Sequence, residues 1–242
     1  MKILTILLLN ALFLFGFSQV DAQVVSIDKD KKILTLDKKF LKGVSGVVMH
    51  QYDENHSAIV ATVVSKGSNR AKIEYIDYVE NDRLPTISTK PQEGDRVIMG
   101  YLYDRSLLIA PNKSTYDEVV KLFDAIDFIN PDLLVFDMMR SSQKMPTPES
   151  IREFSQNNAV GLVYIAVDDR GYFLDANSFE LLSTNALFST SEESELPFYM
   201  QIEGATQGLI SRIGGFFSSI FRSEDSKIKN DYDRYYLQMI GE

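Results

Sequence analysis

At Pro111-Asn112 the apolar pattern of this chain changes period, from about two residues to about 3.6, so a module of strands must be followed by one that contains helices. Upstream, Val24 to Ile27 and Ile33 to Leu36 are short β-type runs joined by Asp28-Lys29-Asp30-Lys31-Lys32, a charged hairpin turn. Val44 to Tyr52 and Ser57 to Lys66 flank Asp53-Glu54-Asn55, and Gly67-Ser68-Asn69 leads into Arg70 to Tyr78. In Ala58 to Val64 both alternating sets are apolar or nearly so, which predicts a strand covered on both faces. Arg83 to Glu93, with Pro85 and Pro91, reads as an exposed loop, after which Arg96 to Tyr103 and Ser106 to Ala110 complete the series. Turns at such regular intervals predict a meander of antiparallel strands, and a small barrel closed by Ser106 to Ala110 is its economical form, because closure removes exposed strand edges.

Downstream, Ser114 is the expected N-cap of a helix with Asp117 and Glu118 in its first turn and Tyr116, Val119, Val120, Phe123 and Ile126 on its apolar face. Asp132 to Met139 reads equally as a strand or a buried helical turn. Thr147-Pro148-Glu149 opens a further helix with Ile151 and Phe154 inward. A meander of Val160 to Val167, Tyr172 to Leu174 and Phe179 to Leu182 follows, with Phe198 to Ile202 as an edge strand, so the second module is α+β.

Two terminal segments stand apart. Leu209, Ile210, Ile213, Phe216, Phe217, Ile220 and Phe221 share one face of an amphipathic helix, and Tyr232, Tyr235, Tyr236 and Met239 repeat the helical spacing. Three uses are open for the first face: packing on its own module, docking a partner protein, or lying on a membrane surface. At the other end, Met1-Lys2, an apolar run from Ile3 to Phe17 and the small-residue end Val20-Asp21-Ala22 have the layout of a secretory signal. The run, about fifteen residues, falls short of the roughly twenty that span a bilayer. The expected organisation is a signal peptide over 1–22 cleaved after Ala22, a barrel over 23–112, an α+β domain over 113–203 and a C-terminal helical segment over 204–242.

Chemistry is sparse. There is no cysteine, which removes disulfides, thiolate metal sites and thiol catalysis, and a net charge of -9 disfavours nucleic acid. His50 and His56 flank the Asp53-Glu54-Asn55 turn and could hold zinc with one of its carboxylates, or simply be solvated residues at a hairpin tip. Asp168-Asp169-Arg170-Gly171 with Asp175, Asn177 and Glu180 lacks the spacing of a calcium loop. Asp132 and Asp137 form a carboxylate pair of a kind expected by chance among thirty-four acidic residues. Neither histidine has a nucleophile motif beside it, and there is no phosphate-cradling glycine loop. The expectation is a protein without enzymatic activity and without cofactor or metal. Lys29, Lys31, Lys32, Lys38, Lys39 and Lys42, interspersed with Asp28, Asp30 and Asp37, form a basic cluster that would keep hairpin edges soluble.

Gly94-Asp95-Arg96-Val97, Leu108-Ile109-Ala110-Pro111-Asn112 and the run from Ile126 through Asn130-Pro131-Asp132 to Val135 resemble the N-terminal domain of the plasminogen-binding proteins of Helicobacter and related epsilonproteobacteria. Val160-Gly161-Leu162-Val163-Tyr164-Ile165 and Ser178-Phe179-Glu180 fit the same family. The resemblance implies a non-enzymatic envelope protein. Family members carry a lysine-rich extension ending in lysine, the group that a kringle domain captures, whereas this sequence ends Met239-Ile240-Gly241-Glu242. The expected role is therefore a periplasmic scaffold acting on other envelope proteins, such as an accessory disk or scaffold component of the flagellar motor. Its contact surfaces would be Leu209, Ile213, Phe216, Phe217, Ile220 and Phe221 with Tyr232, Tyr235 and Tyr236. The alternative is a surface protein binding host plasminogen through Lys31, Lys32, Lys38 and Lys39.

Overall fold

The computed structural model describes residues 18–74, 89–143, 145–188, 194–201 and 225–242, which divide into two compact units after Asp104. In the first, β1 (Val20–Asp28), β2 (Ile33–Phe40), β3 (Ser45–Gln51), β4 (Ser57–Ser65), β5 (Ser68–Glu74) and β6 (Arg96–Met99) close into an antiparallel barrel of order β1-β2-β5-β4-β3-β6. Alternation decides what fills it. Ala22, Val24, Leu34, Leu36, Val48, Ala61, Val63, Ala71, Ile73, Val97 and Met99 point inward as one apolar cluster. In β4 the outward set is covered as well, since every residue from Ala61 to Ser65 is buried.

Closure depends on β6, whose four residues are paired on both edges. Met99 lies opposite Val20 on one side and Gly46 on the other, and Val97 lies opposite Ala22 and Val48. A Cβ at Gly46 would come within 2.5 Å of the Ile98 carbonyl and 2.9 Å of the Met99 Cα, so glycine is what lets β3 reach β6 here.

The second unit holds a five-stranded sheet of order β11-β10-β9-β7-β8. Its strands are β7 (Arg105–Ile109), β8 (Asp127–Ile129), β9 (Leu162–Val167), β10 (Arg170–Asp175) and β11 (Leu181–Ala186). Helices α1 (Lys113–Leu122), α2 (Asp132–Arg140), α3 (Pro148–Asn157) and α4 (Asp225–Ile240) surround it, giving an α+β unit. The expectation that Ser106 to Ala110 closes the barrel is corrected, because β7 pairs in parallel with both β8 and β9. The physical reason lies in its burial: Ser106 to Ile109 are all buried, as a strand enclosed on both faces requires.

Local signals explain the helices. Thr147 caps α3 with its side chain accepting from the Ser150 amide, reciprocated by Ser150, and Pro148 stands at the start as expected. At α1 the cap is Asn112 rather than Ser114. Its side chain accepts from the Thr115 amide at 2.9 Å, so the helix starts earlier and Asp117 and Glu118 lie beyond the first turn. Asp132 to Met139 is helical. Phe198 to Gln201 is not a strand, although Phe198 and Tyr199 are buried and the Tyr199 amide bonds to the Ala110 carbonyl. Phe179 adopts φ 61 in the turn, and the strand expected there starts at Leu181.

The sheet has different neighbours on its two faces. On one, Leu107, Ile109, Val163, Ile165, Val167, Tyr172 and Leu174 meet Leu134, Val135 and Met138 of α2, Ile151 and Phe154 of α3, and Tyr232 and Tyr236 of α4. On the other, the Phe123 ring at the end of α1 lies 5.5 Å from Tyr164 and 4.9 Å from Phe173. Tyr164 reaches across Gly171 to donate to Asn185, leaving no room for a Cβ at that position.

Gly46→Ala is expected to lower stability by about 1–3 kcal/mol through overpacking, read as a reduced urea midpoint. Tyr236→Phe should cost roughly 1–3 kcal/mol, because the buried hydroxyl that donates to the Pro197 carbonyl at 2.7 Å is lost and that carbonyl is left unpaired. Burial holds the phenols of Tyr232 and Tyr236 well above their ordinary range near pH 10. A raised folded-state value means that their stabilising contribution is complete below about pH 10 and is lost as the pH rises above it, so a thermal melt series should show the decline on that alkaline side.

Candidate functional site

The basic cluster becomes a surface through the geometry of β2. In the hairpin turn before it, Asp28 accepts from the Lys31 amide at 3.0 Å and pairs with the Lys31 ammonium at 3.0 Å. These contacts, the backbone bond foremost, hold the Asp28 carboxyl below the usual carboxylate range. Lys32 turns the chain with φ 54. Further along, the β2–β5 ladder is interrupted between Thr35 and Phe40, so Asp37-Lys38-Lys39 bulge away from β5. Asp37 accepts from the Gln23 amide at 2.8 Å, and the Lys38 ammonium donates to the Asp21 carbonyl at 2.6 Å. Asp21 is itself gripped by Arg96, whose guanidinium nitrogens lie 3.0 and 2.9 Å from the carboxylate and lower its pKa.

Lys31, Lys32, Lys38 and Lys39 are all exposed, and among the described residues the Lys39 side chain makes no hydrogen bond or ion pair. The strand register adds two cations not singled out from the sequence. Lys72 lies opposite Ile33 and Arg70 opposite Thr35, both exposed, while Ala71 between them faces the barrel interior. The available signal was the Arg70-x-Lys72 alternation, but its location beside β2 depends on a non-local pairing.

Charge is divided unevenly between the units. The first carries 13 basic and 13 acidic residues, while the second carries 12 basic against 21 acidic, the whole net charge of -9. The lysines of β2 and its turn therefore sit on a unit that is neutral overall, next to the β5 cations.

The other expected sites are placed differently. Tyr232 and Tyr236 are corrected as partner contacts: both are fully buried, and their hydroxyls donate to the Ala166 and Pro197 carbonyls of their own unit. Tyr235 is half-buried and donates to the Pro146 carbonyl at 2.6 Å. Leu209, Ile213, Phe216, Phe217, Ile220 and Phe221 lie outside the described residues. Among the described residues no helix is long and apolar enough to cross a membrane.

His50 and His56 do not share a carboxylate. The Nδ1 of His50 lies 2.8 Å from Asp95, which also accepts from the Gln92 amide, while the His56 ring contacts Asp53 of its own turn. Among the described residues no three His, Cys, Asp or Glu side chains group as metal ligands. Asp132 is buried at the start of α2 and accepts from the Gln201 amide, whereas Asp137 pairs with Arg140 at 2.6 Å, so the two have separate local partners. Asp175 accepts from the Asn177 and Ser178 amides and closes a turn.

No solved structure matches the chain. Two curated relatives are 26% identical over 212 residues: the plasminogen-binding protein PgbA of Helicobacter pylori strain J99 and that of strain 26695. Each alignment covers 85% of this chain, which spans only 46% of either relative. The family described as "Plasminogen-binding protein pgbA N-terminal" matches from residue 19 to residue 240, and with that coverage the chain belongs to it.

Proposed function

We propose that the protein is exported to the cell envelope and binds plasminogen through the lysines of the barrel unit, acting by contact rather than by turnover. The observation that carries this reading is the exposure of Lys31, Lys32, Lys38 and Lys39 on one strand and its turn, with the Lys39 side chain left without an intramolecular partner among the described residues. An ammonium on a flexible four-carbon stem is a compact point charge that a carboxylate-lined pocket can capture. Membership of a family named for plasminogen binding supports the same partner. Asp37 precedes Lys38 and Lys39 in sequence, so the segment carries the two kinds of charge found on a free lysine. Lys72 and Arg70 extend the positive field and favour approach of an acidic surface. The scaffold reading has less behind it, because Tyr232 and Tyr236 face their own core.

Binding of the purified chain to immobilised plasminogen, followed by surface plasmon resonance, is expected to be reversed by 6-aminohexanoate and weakened by added salt. Replacing Lys31, Lys32, Lys38 and Lys39 together by alanine should raise Kd by about tenfold or more, the equivalent of losing one hydrogen bond to a charged group. Binding that ignores the lysine analogue, or a quadruple variant that binds like its parent while melting normally, would reject the lysine surface.

A further inference from the structure

The export reading brings a proteolytic step with it, and the barrel restricts where that step can fall. Within five residues of Phe17, the end of the apolar run, two positions meet the small-residue requirement of a leader peptidase. Cleavage after Ala22 has Val20 and Ala22 three residues and one residue before the cut. Cleavage after Ser18 has Gly16 and Ser18 in those places.

The structure separates the two. β1 begins at Val20, and its pairing with β6 consists of Val20 opposite Met99, Asp21 opposite Ile98, Ala22 opposite Val97 and Gln23 opposite Arg96. A chain starting at Gln23 would keep one of these four pairs. It would lose Ala22 from the barrel core, the Asp21–Arg96 ion pair and the carbonyl that receives the Lys38 ammonium. The β1–β6 seam would then open and leave most of one β6 edge unpaired, which is the hazard that closure removes. A chain starting at Gln19 keeps all four pairs, and Ser18 and Gln19 are exposed just ahead of the strand.

We infer that export is accompanied by cleavage between Ser18 and Gln19, so that the mature protein begins at Gln19 with β1 whole. Hydrolysis of that peptide bond by a leader peptidase consumes one water, leaves a carboxylate on Ser18 of the released leader, and frees the α-amino group of Gln19. This site rests on the export reading.

The test is to express the full chain in a Gram-negative host, isolate the envelope form, and determine its first residue by intact mass with sequencing of the N-terminal peptide. Both candidate termini are glutamine, so the mass of the Gln19-Val20-Asp21-Ala22 segment decides between them. A start at Gln19 is expected, and Ser18→Tyr, with a bulky ring beside the cut, should accumulate unprocessed precursor. A start at Gln23 would overturn the site and leave export standing; a chain that keeps Met1 through Ser18 would overturn both. Chains made directly from Gln19 and from Gln23 provide a second reading: the shorter one should melt at a lower temperature, and equal midpoints would remove the structural argument for the site.

Discussion

The first unit depends on a four-residue strand that is hydrogen-bonded on both sides. Arg96 to Met99 is short enough that each residue lies opposite one partner in β1 and one in β3, so no part of it is spare. Barrel closure is a cooperative condition: either seam alone leaves a sheet with two edges and a half-solvated interior. Gly46 meets that condition by lacking a side chain, and Asp21 by fastening Arg96 from the outer surface.

Much of this was legible from local pattern. The turns between Asp28 and Ile33 and at Asp53-Glu54-Asn55 are bounded by residues that favour tight turns, so the hairpins β1–β2 and β3–β4 followed from neighbouring segments, whereas the pairings β2–β5, β1–β6 and β3–β6 join distant strands and replace the expected meander. The α3 start at Thr147-Pro148 was equally plain, because a cap and a proline at the first helical position are chemistry confined to four residues. What failed were assignments that depend on distant partners. Ser106 to Ala110 looks like one more strand of a meander, yet its unbroken burial belongs to a parallel strand enclosed by β8 and β9, and β9 lies more than fifty residues away. The tyrosines of α4 looked like a surface face because helical spacing shows which residues share a side but not what covers that side.

The candidate surface shows the same division. The lysines before and within β2 are adjacent in sequence and were found there. Their presentation comes from the bulge at Asp37-Lys38-Lys39 and from the pairing that brings Arg70 and Lys72 alongside, neither of which is written in a local period. A bulge turns side chains away from the regular ladder, so three consecutive polar residues reach solvent where strict alternation would send one of them into the core. With the acidic excess confined to the other unit, this part of the barrel can be attractive to an anionic partner even though the molecule as a whole is not.

The burial of Tyr232 and Tyr236 under the sheet of the second unit has a consequence for biogenesis. Among the described residues, the barrel strands have all emerged once Met99 clears the synthesis or translocation machinery, whereas the second core lacks two of its largest aromatic side chains until α4 has followed. Vectorial release thus imposes a timetable, in which the lysine-bearing unit can mature early and the acidic unit stays partly unfinished until α4 arrives.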